Sequence, residues 1–324
     1  MSLRYLSRQS LQALFTIVMI VLLNFVLFRM MPGSPERILF RNPNLTQEAL
    51  AAIRERWGLD QPLFPDQFFA YIVATLQGDL GDSYKFIGQP VIEVISERFW
   101  PTMILLGLGE MIAVVVGLAL GSYTGWRRGG LVDRVGNGFS LVFYSMPYFV
   151  IGMILLLVFA TGLGWFPTSG MFSLGHRFDS FPEQVADFAW HLFLPLMTVA
   201  IGLIGQYSIL MRSSIIDTLT EDYVTTARAK GLTDGRILRS HALPNARLPA
   251  VTLIAINLGY VIAGAITVEV VFNWPGIGTL TVIALNARDY PMLQGIFLLL
   301  SISVVLANFA ADLVYGYLDP RVRT

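Results

Sequence analysis

The run Met103–Tyr123, MILLGLGEMIAVVVGLALGSY, is almost wholly apolar and holds a single charge, Glu110. Wound as a helix at 1.5 Å per residue, it reaches about 30 Å, the thickness of a bilayer's hydrocarbon core. Its apolar residues follow neither the 3.6-residue period of a half-buried helix nor the alternation of a half-buried strand. Five further blocks read the same way: Leu11–Met31, Phe139–Thr161, Phe193–Met211, Val251–Phe272 and Gly295–Tyr315. Only helices and closed barrels satisfy every backbone N–H and C=O in lipid, and unbroken runs of this length argue against the alternating strands of a barrel. The expected fold is an all-α polytopic membrane protein with six transmembrane helices.

Composition agrees. Apolar residues make up 55% of the 324 and charged residues 14%, against about 25% charged in an ordinary soluble domain. So few charges make no soluble skin. Net charge is zero, so nothing in the total points to nucleic acid. The chain has no cysteine, which excludes disulfides, thiolate metal sites and a cysteine nucleophile. His176, His191 and His241 stand far apart and form no HExxH pattern, so no metal site is expected. Arg4 and Arg8 precede the first block, but its apolar run exceeds the 7–15 residues of a signal peptide and no small-residue cleavage site follows. An uncleaved first span is expected.

Basic residues set the orientation. With an even number of spans both termini share a side, and that side receives Arg4, Arg8, Arg127, Arg128, Arg134, Arg212, Arg228, Lys230, Arg236, Arg239, Arg247, Arg321 and Arg323. The two short segments opposite hold only Arg177 and Arg288. Both termini are therefore expected in the cytoplasm. Trp100, Trp126, Trp165, Trp190 and Trp274 lie near span ends, where an interfacial aromatic belt would put them.

The expected organisation is an N-terminal tail and first helix over 1–31, an external helical cap over 32–102, a five-helix core over 103–315 and a C-terminal tail over 316–324. In the cap, Asn44 is placed to cap a helix with Gln47 at its third position and Gly58 as its stop. Gln61-Pro62-Leu63-Phe64-Pro65 reads as a rigid link, and Asp66–Leu76 as a second short helix ending near Gly78. An inner loop, 212–249, lies within the core. There Glu221 and Asp222 open a short helix, Arg228 and Lys230 sit at its negative end, and Gly231 closes it. Thr233 caps a second helix that runs through Ile237 and Leu238 until Pro244 interferes. The small residues Thr226, Ala227 and Ala229 let another protein approach the backbone closely.

This loop carries a resemblance. Glu221-Asp222-Tyr223-Val224-Thr225-Thr226-Ala227-Arg228-Ala229-Lys230-Gly231-Leu232, followed by His241-Ala242-Leu243-Pro244-Asn245, resembles the "EAA" loop of bacterial ABC-importer permeases. More narrowly it is similar to the B-type permease of the dipeptide, oligopeptide and nickel group. Met31-Pro32-Gly33-Ser34-Pro35, Ser145-Met146-Pro147-Tyr148-Phe149, Gly164-Trp165-Phe166-Pro167-Thr168-Ser169-Gly170, Phe272-Asn273-Trp274-Pro275-Gly276-Ile277-Gly278, Arg288-Asp289-Tyr290-Pro291 and Tyr317-Leu318-Asp319-Pro320-Arg321-Val322-Arg323 extend the likeness along nearly the whole chain. The triplet departs from the pattern at Thr225 and Thr226, with only Ala227 matching.

The resemblance implies a bacterial inner-membrane subunit that forms half of a translocation path. A second homologous permease, one or two ATP-binding subunits and an external solute-binding protein would be its partners, besides membrane lipid. Asp222, Tyr223, Thr226, Ala227, Arg228, Ala229, Lys230, Gly231, Leu232, His241, Pro244 and Asn245 would couple it to the ATPase. The chain has no GxxxxGK[ST] phosphate loop, so it holds no cofactor of its own, and ATP and Mg would be bound by the partners. Solutes of such a group include dipeptides, oligopeptides, glutathione, nickel complexes and oligosaccharides.

Charge within a span is costly and usually faces protein or water. Glu110 is the best polar candidate for the path, with a headgroup contact or a pair with Arg98 as the plain alternative. Asn257 and Glu269 are further candidates, Glu269 reading more as a structural or gate residue. Gln206 and Asn257 also read as polar residues that join helices. Gly107, Gly109, Gly117, Gly121, Gly259 and Gly264 read as close-packing positions. A secondary transporter or channel is the alternative function. It would leave the inner loop idle and lacks an ion relay beyond one Glu110.

Overall fold

A computed structural model describes residues 3–30, 61–263 and 266–318, together with Glu48. The described residues are helical, joined by short turns and one isolated bridge, Asp82 to Pro90. In chain order the helices are α1 (Leu3–Met30), α2 (Phe68–Leu76), α3 (Val91–Trp126), α4 (Leu131–Ser145) and α5 (Tyr148–Leu155), which runs on as a wide turn over Leu156–Gly162. Then follow α6 (Phe181–Leu219), α7 (Asp222–Ala229), α8 (Asp234–Ile237), α9 (Leu243–Ala246), α10 (Leu248–Ala263), α11 (Ile266–Val271), α12 (Ile277–Ala287) and α13 (Tyr290–Leu318).

The first, second, fourth and sixth expected spans fall on α1, α3, α6 and α13, all apolar and long enough to cross a membrane. Two of them run well past the expected ends. α3 has 36 residues and α6 has 39, about 54 and 58 Å at 1.5 Å per residue. α6 starts at a polar signal upstream of the apolar block: Ser180 accepts from the N–H of Glu183, Pro182 lies in the first turn, and Glu183 accepts from the N–H of Asp179 at 2.9 Å. This is a variant of the capping box, with Glu183 reaching the N–H one residue before the N-cap.

The third expected span, Phe139–Thr161, is not one helix. α4 and α5 meet at a bend of 105°. Met146 ends α4 in an extended conformation and Pro147 opens α5, because a residue before proline is pushed out of the helical region. The fifth expected span, Val251–Phe272, falls on α10 and α11, and Gly264 between them lies outside the described residues. So do the expected first cap helix from Asn44 to Gly58 and the tail residues Arg321 and Arg323. The second cap helix is α2, closed at Gly78 with φ +77°.

α3 and α6 form the spine. Along α3, Gly109, Gly117, Gly121 and Gly125 face Val199, Tyr207, Met211 and Ile215 of α6 in rising order, so the two helices run parallel. A Cβ on Gly121 would lie 2.4 Å from the carbonyl oxygen of Ser208, and one on Gly117 2.6 Å from the Cβ of Tyr207. The backbones approach this closely only because the side chains are absent, the small-residue packing typical of membrane helices. Gly107 departs from expectation, because nothing lies within 4 Å of where its Cβ would be. On its other face α6 repeats the device, with Gly205 against the Ser140 carbonyl of α4 and Gly202 under the ring of Tyr148.

The remaining helices flank this spine. α13 packs against α1 and α10. Asn24 of α1 donates to the carbonyl of Gln294 at 3.1 Å, and Phe25 is enclosed by Phe68 and Tyr71 of α2. The short apolar α12, which the sequence reading left as a connection, wedges Ile277, Leu280 and Ala284 among Val91, Val94 and Ile95 of α3 and Met292 and Ile296 of α13.

The two kinds of glycine give opposite expectations. Gly121→Ala must push apart two backbones and costs about 1–3 kcal/mol as an overpacked contact. Gly107→Ala meets open space and gains about 0.5–1 kcal/mol of helix propensity. Melting temperatures of the purified variants in detergent are expected to move down for the first and to hold or rise for the second.

Candidate functional site

At the C-terminal end of α6 the chain folds into a protruding knob. Glu221 precedes α7 in an extended conformation and Gly231 leaves it with φ +77°. The expected stop thus falls where a left-handed residue is needed, and glycine meets that need at little cost. Thr233 stands at the N-cap of α8, and its carbonyl accepts from the N–H of Arg236 and Ile237. Pro244 does not end the second helix as expected. The chain passes through a wide turn over Leu238–Ala242, and Pro244 sits in the first turn of α9, where a missing N–H leaves no bond unmade. Asn245 donates to the Tyr223 hydroxyl at 3.0 Å and to the His241 carbonyl at 2.9 Å, tying the two halves together.

The knob has a small core of its own. Val224, Ala227 and Ile237 are buried against Leu219 and Leu232. This corrects the reading of the small-residue stripe, because Ala227 faces inward and is closed off by its own chain. The exposed side of α7 presents Asp222, Tyr223, Thr226, Arg228 and Ala229, with Lys230 and Gly231 beyond its end. Met211 and Ile215 of α6 pack with Ala242 and Ala246, so the knob is fused to α6 rather than hung from it. One turn further up, Arg212 grips Asp133 with two hydrogen bonds of 2.6 and 3.0 Å, and the N–H of Gly129 completes the carboxylate's set. A bidentate pair of this kind fixes α4 to α6 in angle as well as distance.

The polar candidates within the spans separate into two places. Glu110 and Asn257 come together. Glu110 is buried, and one of its carboxylate oxygens accepts from the Tyr207 hydroxyl. Asn257 donates to that hydroxyl at 3.0 Å and to Gln206 at 3.3 Å, which joins α10 to α6 as expected of these two amides. The alternative pair with Arg98 is not formed. Gln206 in turn lines an open, mostly apolar cavity of about 550 Å³ with Tyr144, Ser213, Thr252 and Ile256.

Glu269 stands elsewhere and has different work. It is fully buried and accepts from Thr102 at 2.7 Å and from the N–H of Thr279 at 3.0 Å. The Thr102 hydroxyl oxygen also takes the N–H of Ile277. The carboxylate thus caps the N-terminus of α12, where orphan N–H groups and the helix dipole favour an anion. A Cβ on Gly276 would fall 2.4 Å from this carboxylate, which explains the glycines of Trp274-Pro275-Gly276-Ile277-Gly278. Trp274 itself is no belt residue. It is completely buried and its indole N–H donates to the Pro101 carbonyl at 2.9 Å. Asp289 does similar work at the start of α13, accepting from Ser83 and from the N–H groups of Lys85 and Met292. At the opposite end of α6 from the knob, the exposed His176 imidazole is held above its ordinary range, first by its 2.9 Å hydrogen bond to Glu183.

Residues 117–324 match the family described as binding-protein-dependent transport system inner membrane component, and residues 2–106 match its N-terminal region. The chain belongs to this family. Among its relatives, a probable peptide ABC transporter permease protein of Sinorhizobium fredii is 39% identical over 319 residues, covering 98% of this chain and 99% of that one. A glutathione transport system permease protein of Salmonella choleraesuis is 36% identical over 321 residues, covering 99% of each. The fold resembles the MetNI methionine ABC transporter solved in inward-facing conformations, with a TM-score of 0.56 and 17% identity over 70% of this chain and 96% of that one. Residues 117–324 take in the knob, α6 and the α12 turn, so this inner membrane component carries its most distinctive geometry inside the match.

The core and the surface of the knob should part under mutation. Ile237→Ala removes a fully buried side chain and costs about 2–5 kcal/mol, so limited proteolysis is expected to cut between residues 219 and 249 sooner. Ala229→Leu alters only the exposed side and is expected to leave the proteolysis rate unchanged.

Proposed function

We propose that this chain is the permease subunit of an ATP-driven importer of peptides or similar small solutes, forming half of the translocation path beside a second, homologous permease. The observation that carries the reading is the exposed side of α7, presented on a knob with its own core and fused to the spine helix α6. A free carrier or channel has no use for such a projection. The chain has no phosphate loop of its own, so ATP and Mg belong to separate ATP-binding subunits that would seat the knob. An external binding protein would deliver solute onto the segment before α3. The peptide class follows the names of the relatives with matching length.

The mechanism follows from rigidity. Closure of the ATPase pair pushes Tyr223, Thr226, Ala229 and Lys230, and the load passes through Leu219 into α6. The glycine seam makes α3 move with α6, and the Arg212–Asp133 pair carries α4 along. The response is a rigid-body repacking between bistable arrangements rather than a bending of one helix. Arg127, Arg128, Arg134, Arg228, Lys230, Arg236, Arg239 and Arg247 all belong to the knob, to the turn after α3 or to the first turn of α4. By the positive-inside rule the knob's end of the spine is cytoplasmic, and both termini are with it.

Gly231→Trp tests the coupling. Nothing lies within 4 Å of the Cβ position at Gly231, so a side chain there starts in open space, and the left-handed backbone costs about 1–2 kcal/mol. In proteoliposomes holding the assembled importer, the variant is expected to insert and fold normally yet to lose ATP-driven peptide uptake. Normal uptake would refute the seating of the knob, and uptake in wild type without ATP would refute the ATP-driven reading itself.

A further inference from the structure

Four carboxylates are buried among the described residues, and all but one have a strong partner. Asp133 has a guanidinium, Glu269 has a helix N-terminus, and Asp289 has a hydroxyl and two N–H groups. Glu110 is 3% exposed, one of its oxygens takes the Tyr207 hydroxyl, and the other has no hydrogen-bond partner among the described residues. Its companions Tyr207, Asn257 and Gln206 are all neutral. A charged carboxylate placed in a span without a cation is costly, and such residues mark paths rather than packing.

The surroundings specify the missing group. Glu110, Tyr207, Asn257 and Gln206 form one hydrogen-bonded chain that ends on the wall of the 550 Å³ cavity. The chain supplies one carboxylate and otherwise only phenol and amide oxygens. That is too few hard ligands for a calcium or magnesium ion, which takes six or more oxygens. It suits an alkylammonium, whose three N–H donors need three acceptors and one negative charge. We infer that Glu110 is a specificity-determining residue of the translocation path, receiving the ammonium group of the solute when Tyr207 and Asn257 move aside from it. The inference rests on the importer reading above and narrows it to solutes that carry a free amino group, such as peptides and glutathione, over neutral oligosaccharides. Tyr207 and Asn257 lie on α6 and α10, two helices that a push on the knob would shift against each other. Access to the acid would therefore be tied to the transport cycle.

The test uses the assembled importer in proteoliposomes with its ATPase subunits and binding protein, and labelled dialanine and glutathione as probes. Glu110→Gln keeps the shape of the side chain and the acceptor for Tyr207 but removes the charge. It is expected to lower uptake of both probes about tenfold or more, while the loaded binding protein still stimulates ATP hydrolysis as in wild type. Glu110→Asp is expected to recover part of the uptake. Unchanged uptake in Glu110→Gln would overturn the inference, and so would a joint loss of uptake and ATPase stimulation, which marks a structural role. Failure of the wild-type importer to take up either probe would instead bring down the peptide-importer reading, and this inference with it.

Discussion

The parallel seam between α3 and α6 is the constraint on which the rest of the molecule depends. Four glycines spaced along α3 let its backbone lie against α6 with no side chain between. In lipid no hydrophobic force separates helix from helix, so close packing of this kind supplies the attraction. It also removes the room for sliding, because the nearest atoms at Gly117, Gly121 and Gly125 are backbone or Cβ atoms that have no other rotamer to adopt. The knob is consequently one body with α3 and α6.

Around that body the chain spends its few charges on joints. Asp133 sets the angle of α4, Glu269 holds the start of α12, and Asp289 ties the segment before α3 to α13. Each acid replaces the water it lost with donors fixed by the fold, the condition for keeping a charge in low dielectric. Glu110 stands out because the fold offers it only neutral phenol and amide groups. A protein that satisfies three buried acids with care and leaves the fourth half-bare has reserved that oxygen for something it does not itself contain.

Much of this was legible in the sequence. Block length located α1, α3, α6 and α13, and Gly231 with its acidic and basic flanks marked the knob, because these signals act over a few residues. The misreadings share a physical cause: they concern what a residue meets across the fold. Ala227 looked like a contact surface because small size is visible in sequence and facing direction is not. Trp274 looked interfacial by position, yet a partner carbonyl on α3 drew it inside. The bend at Met146-Pro147 was written in the proline, but apolar length outweighed it in the reading of a single span. The start of α6 was also present, as Ser180, Pro182 and Glu183, twelve or so residues ahead of an apolar block that drew the eye first. α12 was missed because its first turn is held by Glu269, a partner outside the helix itself.

The private core of the knob separates two kinds of selection. Residues 224, 227 and 237 answer to folding alone, and residues 223, 226 and 229 answer to whatever sits on the other side. A surface so insulated can change while the bundle above stays fixed. On the proposed importer reading, lineages that keep several such importers in one membrane can thereby hold their motors apart, or share one among them, by changing a handful of outward-facing side chains. The knob is in this sense an exchangeable plug, and the wiring behind it need not be redrawn.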